Sequence, residues 1–178
     1  MGIFSSDIKG LDGLFVDVLG QIYYAERQIP EQLDVMISKA TSPELKSGFE
    51  QHLQETRGQI DRLEQVFRLF GKEPNEITCP AFDGIAKAGN GMISKIDDPQ
   101  LLDAFLTHAA QMVEHYEIVQ YGTLTAWAKE LGRDDCASLL QQTLEEEKAT
   151  DQKLTRIAES RLNARAENAT STSSNQFA

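Results

Sequence analysis

The chain has 178 residues, with 17 Lys and Arg against 28 Asp and Glu, for a net charge of −11. That length fits one domain with a sizeable core and leaves no room for a second full domain. The acidic surplus repels nucleic acid and anionic membrane, and suits a protein that gathers cations. The first residues, MGIFSSDIKG, lack the basic and apolar regions of a signal peptide, and no apolar run is long enough to span a bilayer. Cys79 and Cys136 stand far apart with no Cys or His cluster beside them, which predicts reduced thiols in a cytoplasmic protein rather than a disulfide or zinc site.

The first predicted helix, about residues 7–39, places Leu11, Phe15, Val18, Ile22, Glu26, Ile29, Leu33 and Ile37 on one face. Pro30 lies inside it and offers no N–H to the carbonyl of Glu26, which predicts a bend or opening there. Ser42 and Pro43 mark the start of a second helix, which carries Leu45, Phe49, His52, Thr56, Ile60, Leu63 and Phe67 to a stop at Gly71.

Residues 71–99 are punctuated by Gly and Pro, and read as a crossover holding a short helix. A third long helix begins at Asp98 or Pro99, carries Glu117 on its apolar stripe and ends at Gly132. The fourth carries Leu140, Leu144, Glu147, Leu154 and Ile157. Two helical hairpins joined by a long crossover predict an all-α, ferritin-like four-helix bundle over residues 1–162. Residues 163–178 lack periodicity and read as a disordered tail. An offset of 91 residues carries Glu26 onto Glu117 and Leu63 onto Leu154, so the hairpins form an internal repeat.

Glutamates on apolar stripes are the main clue to function, because a buried carboxylate takes up a proton or finds a cation. The candidate metal ligands are Glu26, Glu55, Glu114, Glu117 and Glu147, with Asp151 near the last. The repeat register favours Glu146 over Glu147, and the stripe favours Glu147. Di-metal bundles use Glu-x-x-His on the second helix of each hairpin, but Gly58 and Thr150 occupy those histidine positions here. Imidazole is available instead from His52, on the stripe, or from His115. Four carboxylates balance two divalent ions, and such oxygen-rich ligation suits Fe or Mn. Tyr23, Tyr24, Tyr116 and Tyr121 lie within about a turn of Glu26 or Glu117, close enough to bond a carboxylate.

The blocks Tyr24-Ala25-Glu26-Arg27-Gln28, His52-Leu53-Gln54-Glu55-Thr56, Glu114-His115-Tyr116-Glu117-Ile118, Tyr121-Gly122-Thr123-Leu124 and the run from Leu144 to Asp151 resemble the YciE/YciF-like bacterial stress proteins of the ferritin-like superfamily. The resemblance covers about residues 7–162. It implies a cytoplasmic homodimer associated with stress responses, related in fold to rubrerythrin and manganese catalase, with a dinuclear metal site, but it does not fix an activity. The carboxylate set itself makes the leading function a di-iron or di-manganese protein that turns over peroxide or oxidises Fe(II). The alternative function is a metal-free dimeric scaffold whose buried acids are neutralised within the protein.

Overall fold

The computed structural model describes residues 8–174. Four long helices carry the fold: α1 (Leu11–Lys39), α2 (Pro43–Leu69), α4 (Pro99–Glu130) and α5 (Asp134–Ile157), with a short α3 (Pro80–Ile93) in the crossover. After α5 a π-turn (Ala158–Leu162) leads into α6 (Asn163–Ser174). The predicted start at residue 7 and the last four residues of the predicted tail lie outside the described residues.

The local signals act where their chemistry requires. Ser42 Oγ accepts from Leu45 N at 3.4 Å, and Pro43 follows at the first helical position. Asp98 caps α4 by accepting from Gln100 N at 2.8 Å and Leu101 N at 3.0 Å. Gly71 (φ 73°) and Gly132 (φ 69°) take the left-handed conformation that ends α2 and α4. There Lys72 N bonds Phe67 O at 2.9 Å and Arg133 N bonds Ala128 O at 2.8 Å, the closure that satisfies the last carbonyls of a helix. Pro30 does not interrupt α1, which runs unbroken as a helix from Leu11 to Lys39.

Around the bundle the order is α1, α2, α5, α4, each packing on the next and α4 closing against α1. The N-terminal end of α4 meets the turn between α1 and α2. Asp103 there accepts from Thr41 N at 2.8 Å, Thr41 Oγ1 at 2.7 Å and Ser42 N at 2.8 Å. At the opposite end Arg133 donates to Leu69 O, joining the start of α5 to the end of α2. The crossover therefore travels the length of the bundle. It leaves α2 past Gly20, where Ile77 N bonds Gly20 O at 3.0 Å, and α3 then lies over the groove between α1 and α4. Tyr24 donates to Asp83 at 2.8 Å, and Asn90 to Gln32 at 3.0 Å, fixing α3 to α1.

The predicted break at residue 163 is not where helix ends. Ala164, Ala166 and Ala169 favour helix, and no Gly or Pro intervenes up to Ser174. The backbone stays helical to Ser174, and the π-turn keeps Leu162 and Ala166 buried as α6 packs against α4.

Candidate metal centre

All four bundle helices bring a polar side chain to one point of the core. Glu26 comes from α1, His52 from α2, Glu114 and Glu117 from α4, and Glu147 from α5; Glu26, Glu117 and Glu147 are 0 % exposed and His52 is 3 %. One ligand atom each from His52, Glu114, Glu117 and Glu147 lies within 4.8 Å of all the others. Spacing explains the convergence on α4, where Ala110, Glu114, Glu117, Tyr121 and Leu124 follow each other at three or four residues along the buried face. On α2 the same rule lines up Phe49, His52, Thr56, Gln59 and Leu63.

These groups are poorly satisfied by one another. Of the ten buried side-chain polar atoms lacking a hydrogen-bond partner among the described residues, eight belong to Glu26, His52, Glu114, Glu117 and Glu147. Buried polar atoms are normally paired, so such a concentration marks a place where a proton or a cation belongs. His52 Nε2 lies 3.2 Å from Glu114 Oε1, an ion-pair distance, but without the alignment of a hydrogen bond. The one strong bond in the cluster runs from the Tyr121 phenol to Glu26 Oε1 at 2.5 Å.

Electrostatics follow from burial. Desolvation pushes Glu26 up to about 7, against the opposing pull of the Tyr121 bond and the charge of His52. Glu117 and Glu147 are raised well above the carboxylate range, first by burial and then by neighbouring negative charge. Burial also raises Glu114, with His52 working against it. For His52 burial favours the neutral ring, yet Glu114, Glu55 and Glu26 outweigh it and lift its pKa. The negative charges of Glu26, Glu114, Glu117 and Glu147 act on one another, so each disfavours ionisation of its neighbours. A metal ion held by this group of carboxylates and imidazole could take the place of the carboxyl protons.

The remaining candidates lie at the rim. Glu55 is about a quarter exposed, 3.9 Å from His52 Nδ1, and accepts from Gln51 at 2.7 Å and Thr150 at 3.5 Å. Asp151 accepts from Gln111 at 2.9 Å and faces His115, itself largely exposed, at 3.3 Å. Glu146 is held by Arg62 through two bonds of 2.7 and 2.8 Å, so Glu147 is the α5 glutamate that enters the cluster. Arg62 and Gln59, which also donates to Glu146 at 3.2 Å, had no signal in the sequence beyond the position of Gln59 one turn past Glu55. The repeat shows why the centre is lopsided. At the same 91-residue offset Thr56 takes the place of Glu147 and Tyr23 that of Glu114, so three of the four buried acids come from the second hairpin.

Fold and site together define a ferritin-like four-helix bundle with a carboxylate-rich, histidine-containing core. Residues 10–167 match the family described as Domain of unknown function (DUF892), and the chain belongs to that family. Protein YciF of Escherichia coli strain K12 is 40 % identical over 163 residues, covering 91 % of this chain and 98 % of that protein. Among solved structures, YcfI from Rhodopseudomonas palustris, to which a structural role is ascribed, matches with a TM-score of 0.84 at 47 % identity, over 86 % of this chain and 98 % of that one. The crystal structure of the E. coli stress protein YciF gives 0.83 at 39 % identity, over 87 % and 98 %. A Xanthomonas campestris protein at 21 % identity, with a TM-score of 0.72 over 90 % and 99 %, shares the fold. The resemblance to YciF-like proteins therefore holds along nearly the whole chain. No helix among the described residues is long and apolar enough to cross a membrane.

Proposed function

We propose that this chain is a stress-associated, cytoplasmic metal protein that holds two divalent ions, Fe or Mn, in its core and acts as an oxidoreductase on peroxide or Fe(II). The observation that carries the reading is the approach of His52, Glu114, Glu117 and Glu147 to within 4.8 Å, deep in the bundle and beside Glu26. Glu117, fully buried and within the cluster, would be among the residues that hold the metal, and the charge of Glu26 acts on it. Glu26, His52, Glu114 and Glu147 would complete the holding set, with Tyr121 fixing the orientation of Glu26. Glu55, next to His52 and open to solvent, is suited to change ligation, whereas Asp151 would first have to leave Gln111. Bound Fe or Mn would supply one-electron redox chemistry. The homodimer implied by the resemblance belongs to the same proposal, and light scattering at twice the 19.8 kDa chain mass checks it.

Metal analysis of protein purified without tags or chelators tests the reading, combined with melting in Mn(II), Fe(II) and EDTA. Two equivalents per chain, and a melting shift abolished by Glu117→Gln, are expected. A metal-free scaffold is the second reading, favoured by the burial of the acids, which promotes their uncharged forms. It predicts the same melting curve in all three solutions.

A further inference from the structure

Beneath α3 lies a cavity of about 50 Å³, bounded by α1, α3 and α4 and partly open to the surface near Asn90. Ile29, Leu33, Ile93, Ala110 and Val113 are among its walls, and His52 and Glu114 also line it. A water molecule needs only about 10–15 Å³ of such space, so the cavity has room for a small molecule. Besides those two residues its polar lining is Gln32 and Asn90, which are bonded to each other across α1 and α3 at 3.0 Å and so leave few groups free to solvate a guest. α3 covers the space with Phe82, Ile85 and Ala86, and a methyl group added at Gly89 would only come into van der Waals contact with Ala109 Cβ, at 3.8 Å.

An ion crossing the apolar walls would shed its hydration shell before it reached Glu114 and His52, and hydrogen peroxide would forfeit hydrogen bonds along the same walls. A diatomic gas forfeits neither. Dry apolar cavities of proteins take up xenon and other apolar guests for the same reason. We infer that this cavity is a binding and entry site for an apolar diatomic molecule of the dioxygen class, delivering it to the His52–Glu114 side of the core. This rests on the metal-site reading for its purpose, but the occupancy of the cavity does not.

Xenon is the probe. Crystals of the full chain pressurised with xenon, with and without Mn(II), should hold xenon between α3 and α4, and Ala86→Phe, which fills the space from the half-buried face of α3, should exclude it. Ala86→Leu serves as a smaller plug should the phenylalanine variant unfold, and circular dichroism checks both. With Fe(II) bound, oxidation by dioxygen should slow at least tenfold in the plugged variant at unchanged metal content, while oxidation by hydrogen peroxide keeps its rate. Absence of xenon from the wild-type cavity, an unchanged dioxygen rate, or equal slowing with peroxide would each overturn the inference. Failure of the metal reading has a separate signature: wild-type protein that binds no metal, whatever the xenon result.

Discussion

Tyr121 of α4 donates its phenol hydrogen to Glu26 of α1 at 2.5 Å, in a part of the core where neither side chain meets water. The bond ties the two hairpins together at an acid whose other oxygen, Oε2, has no hydrogen-bond partner among the described residues. Tyr121→Phe removes the donor and leaves Glu26 Oε1 unsatisfied, which should lower stability by about 1–3 kcal/mol in urea unfolding. Because Tyr121 also orients a proposed ligand, Mn(II) affinity should fall roughly 10- to 100-fold in the same variant. Calorimetric titration that finds wild-type affinity would remove Tyr121 from the site.

The buried acids give the metal-free protein an unusual pH dependence. Glu26 titrates near 7 in the folded chain and near 4.5 as a free side chain, so its stabilising effect is complete below about 4.5 and is lost as pH rises through 7. That shift corresponds to about 3 kcal/mol. Glu114, Glu117, Glu147 and His52 are all raised as well, and so act with the same sign. The melting temperature of EDTA-treated protein should therefore drop between pH 5 and pH 8, and Glu26→Gln should flatten part of the slope. A melting temperature that climbs over this interval would contradict the protonation of the cluster.

Much of this was legible in the chain because helix faces are local. The stripe holding Leu11, Phe15, Ile22, Glu26, Ile29 and Leu33 is dictated by spacing, as are the Ser42–Pro43 start and the two glycine stops. Glu147, the residue on the apolar stripe, lies in the buried cluster. The repeat pointed to Glu146 because Glu55 and Glu146 do correspond, but both face the outer groove between α2 and α5 rather than the centre. On α4 the face that holds Glu117 continues through Tyr121, Leu124 and Ala128, all buried. Nothing local could reveal Arg62 on Glu146 or Asp103 on Thr41, since those partners lie 84 and 62 positions apart.

Asp103 is buried, and its carboxylate receives three donors from the turn between α1 and α2. Asp103→Ala strands the backbone N–H of buried Ser42 and removes both bonds from the more exposed Thr41, which should cost about 3 kcal/mol. For a chain of this size that is a fall of roughly 6–12 °C in melting temperature. Metal stoichiometry should be unchanged, since no cluster residue touches the turn. A loss under 1 °C by scanning calorimetry would show that water replaces the carboxylate.

Gly20 tests the strap. A methyl group there would lie 2.7 Å from Ile77 Cγ1 and 3.0 Å from the carbonyl oxygen of Asn75. Alanine gains about 1 kcal/mol in helix propensity, but relief of the overlap requires the crossover backbone to move and stretches the Ile77 N to Gly20 O bond. Gly20→Ala should therefore be net destabilising by about 1–2 kcal/mol, and Gly20→Ala combined with Ile77→Ala should recover part of it. A stabilised single variant in urea would show that the strap yields freely.

The uneven sharing of acids between the hairpins bears on how the molecule is born. Ribosomal synthesis completes α1 and α2 before α4 exists, and that first half carries inward only one acid of the cluster and one imidazole. The half made last brings three carboxylates, and docking closes all of them away from water at once. Burial favours the uncharged form of each, and the final step is thereby coupled to the uptake of protons or of a bound cation. Its rate should therefore follow acidity and the supply of free cations, while formation of the first hairpin ignores both.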